Sequence, residues 1–143
     1  MYGDKDEVLC FKTLKFALKY YNPKQLEHAL KVAQFVIDKP SRTICSKHLW
    51  RLGVLHDILE DTSCTEEDLM AEYDELGLIN SIKLLTHDKE KESYENYIIH
   101  IFQSDDYDAQ EIKRADIKDH LFREDTLTQK LKDKYYPIIK YIL

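Results

Sequence analysis

The residues best placed to do chemistry lie within one apolar run, Leu52-Gly53-Val54-Leu55-His56-Asp57-Ile58-Leu59-Glu60-Asp61-Thr62. An imidazole and three carboxylates in such a run are costly to bury unless something bound there compensates them. On a helix turning about 100° per residue, His56, Glu60, Asp57 and Asp61 fall near 0°, 40°, 100° and 140°, so they share one face. Leu52, Leu55 and Leu59 cluster on an adjoining face and Val54 and Ile58 on the far side, which predicts a helix buried nearly all round. Gly53 falls at about 60°, under the polar face, where a missing side chain lets another helix come close. Such a face repels itself until a cation neutralises it. His56 and Asp57 can converge on one divalent ion, while Glu60 and Asp61, one turn on, are placed to orient a water or move protons. A helix terminus dressed with acids, or a solvated charged face, fits less well, because Ile58 and Leu59 thread the acids rather than Lys or Arg.

Positioning these groups falls to helices. The chain has 143 residues, read as one domain over 1–143 and long enough to bury roughly 70% of its unfolded surface. Three Gly and three Pro, many Lys, Glu, Leu and Ile residues and no alternation of period two predict an all-α chain. Helical spacing predicts helices over 8–21, 23–38, 44–60, 66–76, 78–86, 93–103, 109–121 and 125–143. Pro23 suits the first turn of the second helix, Thr65 and Asp68 form a capping-box-like start, and Gly77 fits a helix stop. Pro40 ends the second helix before a connector over 39–43, and Pro137 kinks the last helix without ending it. Tyr94, Tyr97, Ile98, Ile101 and Phe102 form a stripe read as core first and as a nucleotide-stacking surface second, with His100 off it and exposed.

A net charge of −6 argues against a nucleic-acid polymer as partner, since phosphate neutralisation needs clustered basic residues. It leaves room for a small anionic substrate where a bound metal supplies local positive charge. Cys10, Cys45 and Cys64 are odd in number and form no CxxC, so they read as reduced thiols of a cytoplasmic protein. No apolar run approaches the roughly 20 residues of a membrane span, and the first residues do not read as a signal peptide.

Leu55-His56-Asp57-Ile58-Leu59-Glu60-Asp61-Thr62 resembles the signature of the HD superfamily of metal-dependent phosphohydrolases. It is most similar to the HDxxEDT form of the RelA/SpoT-type alarmone hydrolases and their small stand-alone relatives. The resemblance runs from about Leu14 to the C-terminus and implies a compact HD-domain helical bundle with a metal site between helices. In that family the first ligand is a histidine on a helix some 25 to 30 residues earlier, and Glu27-His28-Ala29-Leu30-Lys31-Val32-Ala33 resembles that helix. Without the resemblance, His28 at the edge of an apolar stripe reads as a satisfied core histidine. The last ligand lies in an Ala-Asp pair, matched by Ala115-Asp116; Asp119 is the rival ligand. The Asn that follows four residues later in the family is His120 here.

The implied ligand set is thus His28, His56, Asp57 and Asp116. Two nitrogens and two oxygens suit Mn²⁺, Fe²⁺, Zn²⁺ or Co²⁺, and the resemblance favours Mn²⁺. Such an ion lowers the pKa of a water and polarises a phosphoryl oxygen. The resemblance assigns catalysis to Glu60 and Asp61, and substrate contacts to Thr86, Lys89 and His120. The family's basic pair and Pro-Tyr segment are absent as such before His28, where Lys19 or Lys24 stands in. The implied activity is hydrolysis of a phosphorylated or pyrophosphorylated nucleotide, guanosine 3′,5′-bispyrophosphate first, with release of pyrophosphate from the 3′ position. An HD-type nucleotidase acting on other nucleotides, and a metal-dependent nucleotide sensor without catalysis, are the alternatives.

Overall fold

The computed structural model describes the backbone of residues 2–38, 46–122 and 128–142, with side chains described from Val8 onward and, after the first gap, from Lys47. The chain is all-helical, with no strand among the described residues. In order come α1 (Tyr2–Leu18), α2 (Pro23–Ile37), α3 (Ser46–Leu55), α4 (Ile58–Asp61), α5 (Glu66–Glu72), α6 (Leu76–Leu84), α7 (Tyr94–Gln103), α8 (Tyr107–Phe122) and α9 (Gln129–Tyr135). A 3₁₀ turn (Tyr136–Ile138) then leads into α10 (Ile139–Ile142). No helix among the described residues is long and apolar enough to cross a membrane. The 39–43 connector, Ile44, Cys45, Asp125 and Leu127 lie outside the described residues.

The centre of the bundle is α2 packed along α3, with α8 lying against both and α1 covering α3. Ala29, Val32, Ala33 and Val36 line the inner side of α2, facing Leu49, Leu52 and Leu55 of α3 and Ile112, Ala115 and Ile117 of α8. α2 and α3 come unusually close at Gly53: a Cβ there would stand 2.8 Å from Ala33 Cα and 3.1 Å from Ala33 Cβ. That approach brings α2 within reach of the end of α3.

Local chemistry starts the helices where expected. Asn22 accepts from the Gln25 amide at 2.8 Å, the Gln25 side chain accepts from the Asn22 amide at 2.8 Å, and Pro23 occupies the first turn of α2. Thr65 and Asp68 close the same reciprocal box at α5. α1 reaches back to Tyr2, earlier than its apolar spacing indicated.

Helix ends elsewhere shift by a few residues from the expected bounds, and two differences change the architecture. α5 stops at Glu72 rather than continuing to 76, because Tyr73 turns into extended backbone and is drawn into the core. Its ring meets Phe16 at 5.6 Å between centroids, its hydroxyl reaches Thr13, and Glu75 pairs with the buried Arg51. Gly77 therefore sits in the first turn of α6 with open space around it and stops nothing. The second difference matters more: the expected helix over 44–60 is interrupted. It leaves helical conformation at His56 and Asp57 (Asp57 φ −102°, ψ 3°) and resumes as α4. Pro137 kinks the C-terminal segment through the 3₁₀ turn, and the helix continues beyond it.

Candidate metal centre

Four of the predicted residues meet at one point. His28 comes from the middle of α2, His56 and Asp57 from the break between α3 and α4, and Asp116 from α8. One donor atom from each lies within 4.8 Å of the other three. His28 Nε2 is 2.8 Å from Asp116 Oδ1 and 3.5 Å from Asp57 Oδ2. His56 Nε2 is 3.1 Å from Asp57 Oδ2 and 3.6 Å from Asp116 Oδ1. Residues i and i+1 on a regular helix diverge, so His56 and Asp57 meet here only because the helix breaks between their neighbours.

The hydrogen bonds on the far side of each imidazole set its tautomer. His56 Nδ1 lies 2.6 Å from the Gly53 carbonyl, which can only accept, so Nδ1 carries the proton. His28 Nδ1 lies 2.6 Å from Asp119 Oδ2, and an ionised carboxylate likewise only accepts. Each neutral ring therefore turns a lone pair on Nε2 towards the same two carboxylates. His56 Nε2 is buried and has no hydrogen-bond partner among the described residues; Asp57 Oδ2 is near it, but not in a direction a hydrogen bond requires. Lone pairs facing carboxylate oxygens across such distances repel unless a proton or a metal ion stands between them. This fits a divalent cation with two imidazole and two carboxylate donors.

The electrostatics agree with that geometry. Burial opposes a charge on His56, yet the carboxylates of Asp57 and Asp116 outweigh it and raise the ring's pKa well above its ordinary value. His28 is raised in the same way, with Asp116 prevailing over burial. Asp116 is buried, but the Lys113 ammonium and the imidazoles of His120, His28 and His56 beside it hold its carboxyl well below the usual range. Lys113 Nζ binds Asp116 Oδ2 at 2.8 Å, leaving Oδ1 for the centre. Its ammonium is buried beneath the Tyr97 and Tyr94 rings, at 5.0 and 5.7 Å.

Asp119 stands on the opposite nitrogen of His28 from the cluster, so it orients the ring, whereas Asp116 faces the other donors of the cluster. Glu60 is exposed on α4, and its Oε1 accepts from the His87 amide at 2.8 Å. Asp61 is also solvent-facing; burial of its carboxyl, then the charges of Asp57 and Glu60, push its pKa up to about 6. His120 Nε2 is 3.4 Å from Asp116 Oδ1, and its ring stacks on Tyr135. Thr86 donates its hydroxyl to the Ile82 carbonyl, and Lys89 is exposed in the loop after α6. Lys19 is exposed at the end of α1, and Lys24 is exposed one turn before His28 on α2.

The sequence reading passed over Lys113 and Lys134, and took Tyr94 only as part of an apolar stripe. Lys113 lies three residues before Asp116, a spacing that puts both on one face of α8, but a lysine is ordinarily read as solvated. Tyr94 has a buried hydroxyl without a partner among the described residues. Lys134 of α9 sits 4.5 Å over the Tyr94 ring. Tyr97 is core, with its hydroxyl on the Leu85 carbonyl. No protein-family model matches the chain, and no curated protein matches it at a significant level.

Proposed function

We propose that this protein is a metal-dependent phosphohydrolase acting on a phosphorylated or pyrophosphorylated nucleotide, with guanosine 3′,5′-bispyrophosphate as the first candidate substrate and Mn²⁺ as the first candidate ion. The observation that carries this reading is the convergence of two imidazole Nε2 atoms and two carboxylates, one of those nitrogens buried and without a hydrogen bond among the described residues. The resemblance of the segment from His56 to Thr62 to the HD phosphohydrolase signature supports the reaction class. A divalent ion bound there supplies Lewis-acid polarisation of a phosphoryl oxygen and acidifies a water.

The chain's own groups do the rest. Glu60, braced by the His87 amide, orients the attacking water. Asp61, with a pKa near 6, accepts and returns a proton close to neutral pH. Lys113 fixes Asp116 by one oxygen. Lys134 lies within electrostatic reach of Lys113 and of Lys89, and Lys134 and Lys89 offer positive charge to phosphate groups beside the acids.

The test is release of phosphate or pyrophosphate from a nucleotide panel, with and without Mn²⁺. Turnover that requires the ion supports the proposal. Asp57→Ala is expected to abolish both metal occupancy and activity, and Glu60→Ala to abolish activity while retaining metal. Loss of metal in Glu60→Ala would make Glu60 a ligand. Tight nucleotide binding with no turnover of any compound would replace the enzyme with a sensor.

A further inference from the structure

The break that lets His56 and Asp57 converge has a side chain set into it. Tyr21, 33 residues before Val54, is almost fully buried and donates its hydroxyl to the Val54 carbonyl at 2.7 Å. In an unbroken helix that carbonyl would take the Ile58 amide, and the Gly53 carbonyl the Asp57 amide. Here the Gly53 carbonyl is engaged by His56 Nδ1, and the Asp57 amide is directed at the Tyr21 hydroxyl oxygen. One hydroxyl thus donates to the last turn of α3 and lies against the amide at the turn into α4. Insertion of a side chain into the helical ladder is a recognised cause of a sharp kink.

We propose that Tyr21 is a positioning residue for the metal centre: its hydroxyl, set between the Val54 carbonyl and the Asp57 amide, fixes the helix break from which His56 and Asp57 reach a common point. The consequence for metal affinity rests on the metal-centre reading above; the consequence for the backbone does not. Removing the hydroxyl leaves the ring's packing in place but takes its partner from the Val54 carbonyl and uncovers the Asp57 amide, so the turn at His56 and Asp57 loosens and the two side chains no longer hold a common point.

The variant is Tyr21→Phe, with Tyr73→Phe as its match, since Tyr73 is equally buried and bonds its hydroxyl to Thr13 of α1 at 3.2 Å rather than to the backbone of the break. Mn²⁺ binding measured by calorimetry is expected to weaken by about tenfold or more in Tyr21→Phe and to stay unchanged in Tyr73→Phe. Equal losses in both, or a Tyr21→Phe affinity within about twofold of the wild type, overturn the proposal. Amide exchange at Asp57 in the metal-free protein reads the same device without an ion. Slow exchange in the wild type that accelerates only in Tyr21→Phe supports it; free exchange in the wild type overturns it, even if the variant does not fold. If the wild type binds no Mn²⁺, the metal-centre reading fails, and the exchange measurement alone decides the role of Tyr21.

Discussion

His28 Nδ1 donates to Asp119 Oδ2 at 2.6 Å, and that bond leaves Nε2 of the same ring facing Asp116. The carboxylate that looked like a competing ligand in the sequence is the one that aims the histidine. Asp119→Ala is therefore expected to weaken Mn²⁺ binding by about 10- to 100-fold, with Asp119→Asn milder because its amide oxygen still accepts from Nδ1. Calorimetric titration of both variants checks this. Equal affinity in all three proteins would show that the ring is aimed by something else.

Proton release on metal binding gives a second measurement. Both histidine pKa values are raised in the metal-free protein, so over the pH range below those values each Nε2 holds a proton that an ion must displace. Mn²⁺ affinity is expected to rise with pH until the rings are deprotonated. The steepest slope should approach a hundredfold per pH unit if both protons leave together. Calorimetry in buffers of different ionisation enthalpy counts the protons directly, and none released would contradict the tautomers assigned here.

Gly53→Ala tests the close approach of α2 and α3. The added Cβ meets Ala33 Cα, a backbone atom that cannot swing aside, so the helices must part. A loss of about 1–3 kcal/mol in urea unfolding is expected, together with weaker metal binding as His28 moves off. Gly77→Ala, which meets no neighbouring atom, is its control and is not expected to lose stability.

Asp61 is expected to make the metal-free protein less stable as pH rises. Its carboxyl is raised from 3.8 to about 6 by burial and by Asp57 and Glu60, so the folded chain binds that proton more tightly than the unfolded chain does. The contribution is full below the unfolded value and is lost as pH climbs through about 6. Relative to Asp61→Asn, the wild type should lose stability across that window. The loss should stay under about 1 kcal/mol, because solvent screens the exposed side chain. Urea midpoints at closely spaced pH values, with chelator present, measure the difference; a constant offset would mean the carboxyl is not raised.

What was legible in the sequence was local. Asn22-Pro23 and Thr65 to Asp68 announce helix starts through bonds among residues three apart, and Gly53 announced a close helix contact through its place under a polar face. The apolar spacing was enough to predict an all-helical chain. The interruption at His56 was hidden because a residue from the preceding helix pair makes it: nothing near His56 shows that the Tyr21 hydroxyl reaches Val54. The early end of α5 was hidden in the same way, since Phe16 and Thr13 draw Tyr73 inward. Lys113 escaped notice because its burial depends on Tyr94 and Tyr97 of a different helix.

The link between His28 and Asp116 joins positions 88 residues apart, more than half the polypeptide. Anything gripping both sides at once behaves as a removable rivet across that span, held only while the span is folded and stabilising it by an amount that grows with the logarithm of the free ligand concentration. Resistance to proteolysis would then follow the free concentration of the ion rather than the sequence alone. Scarcity of the ion would itself mark the protein for turnover.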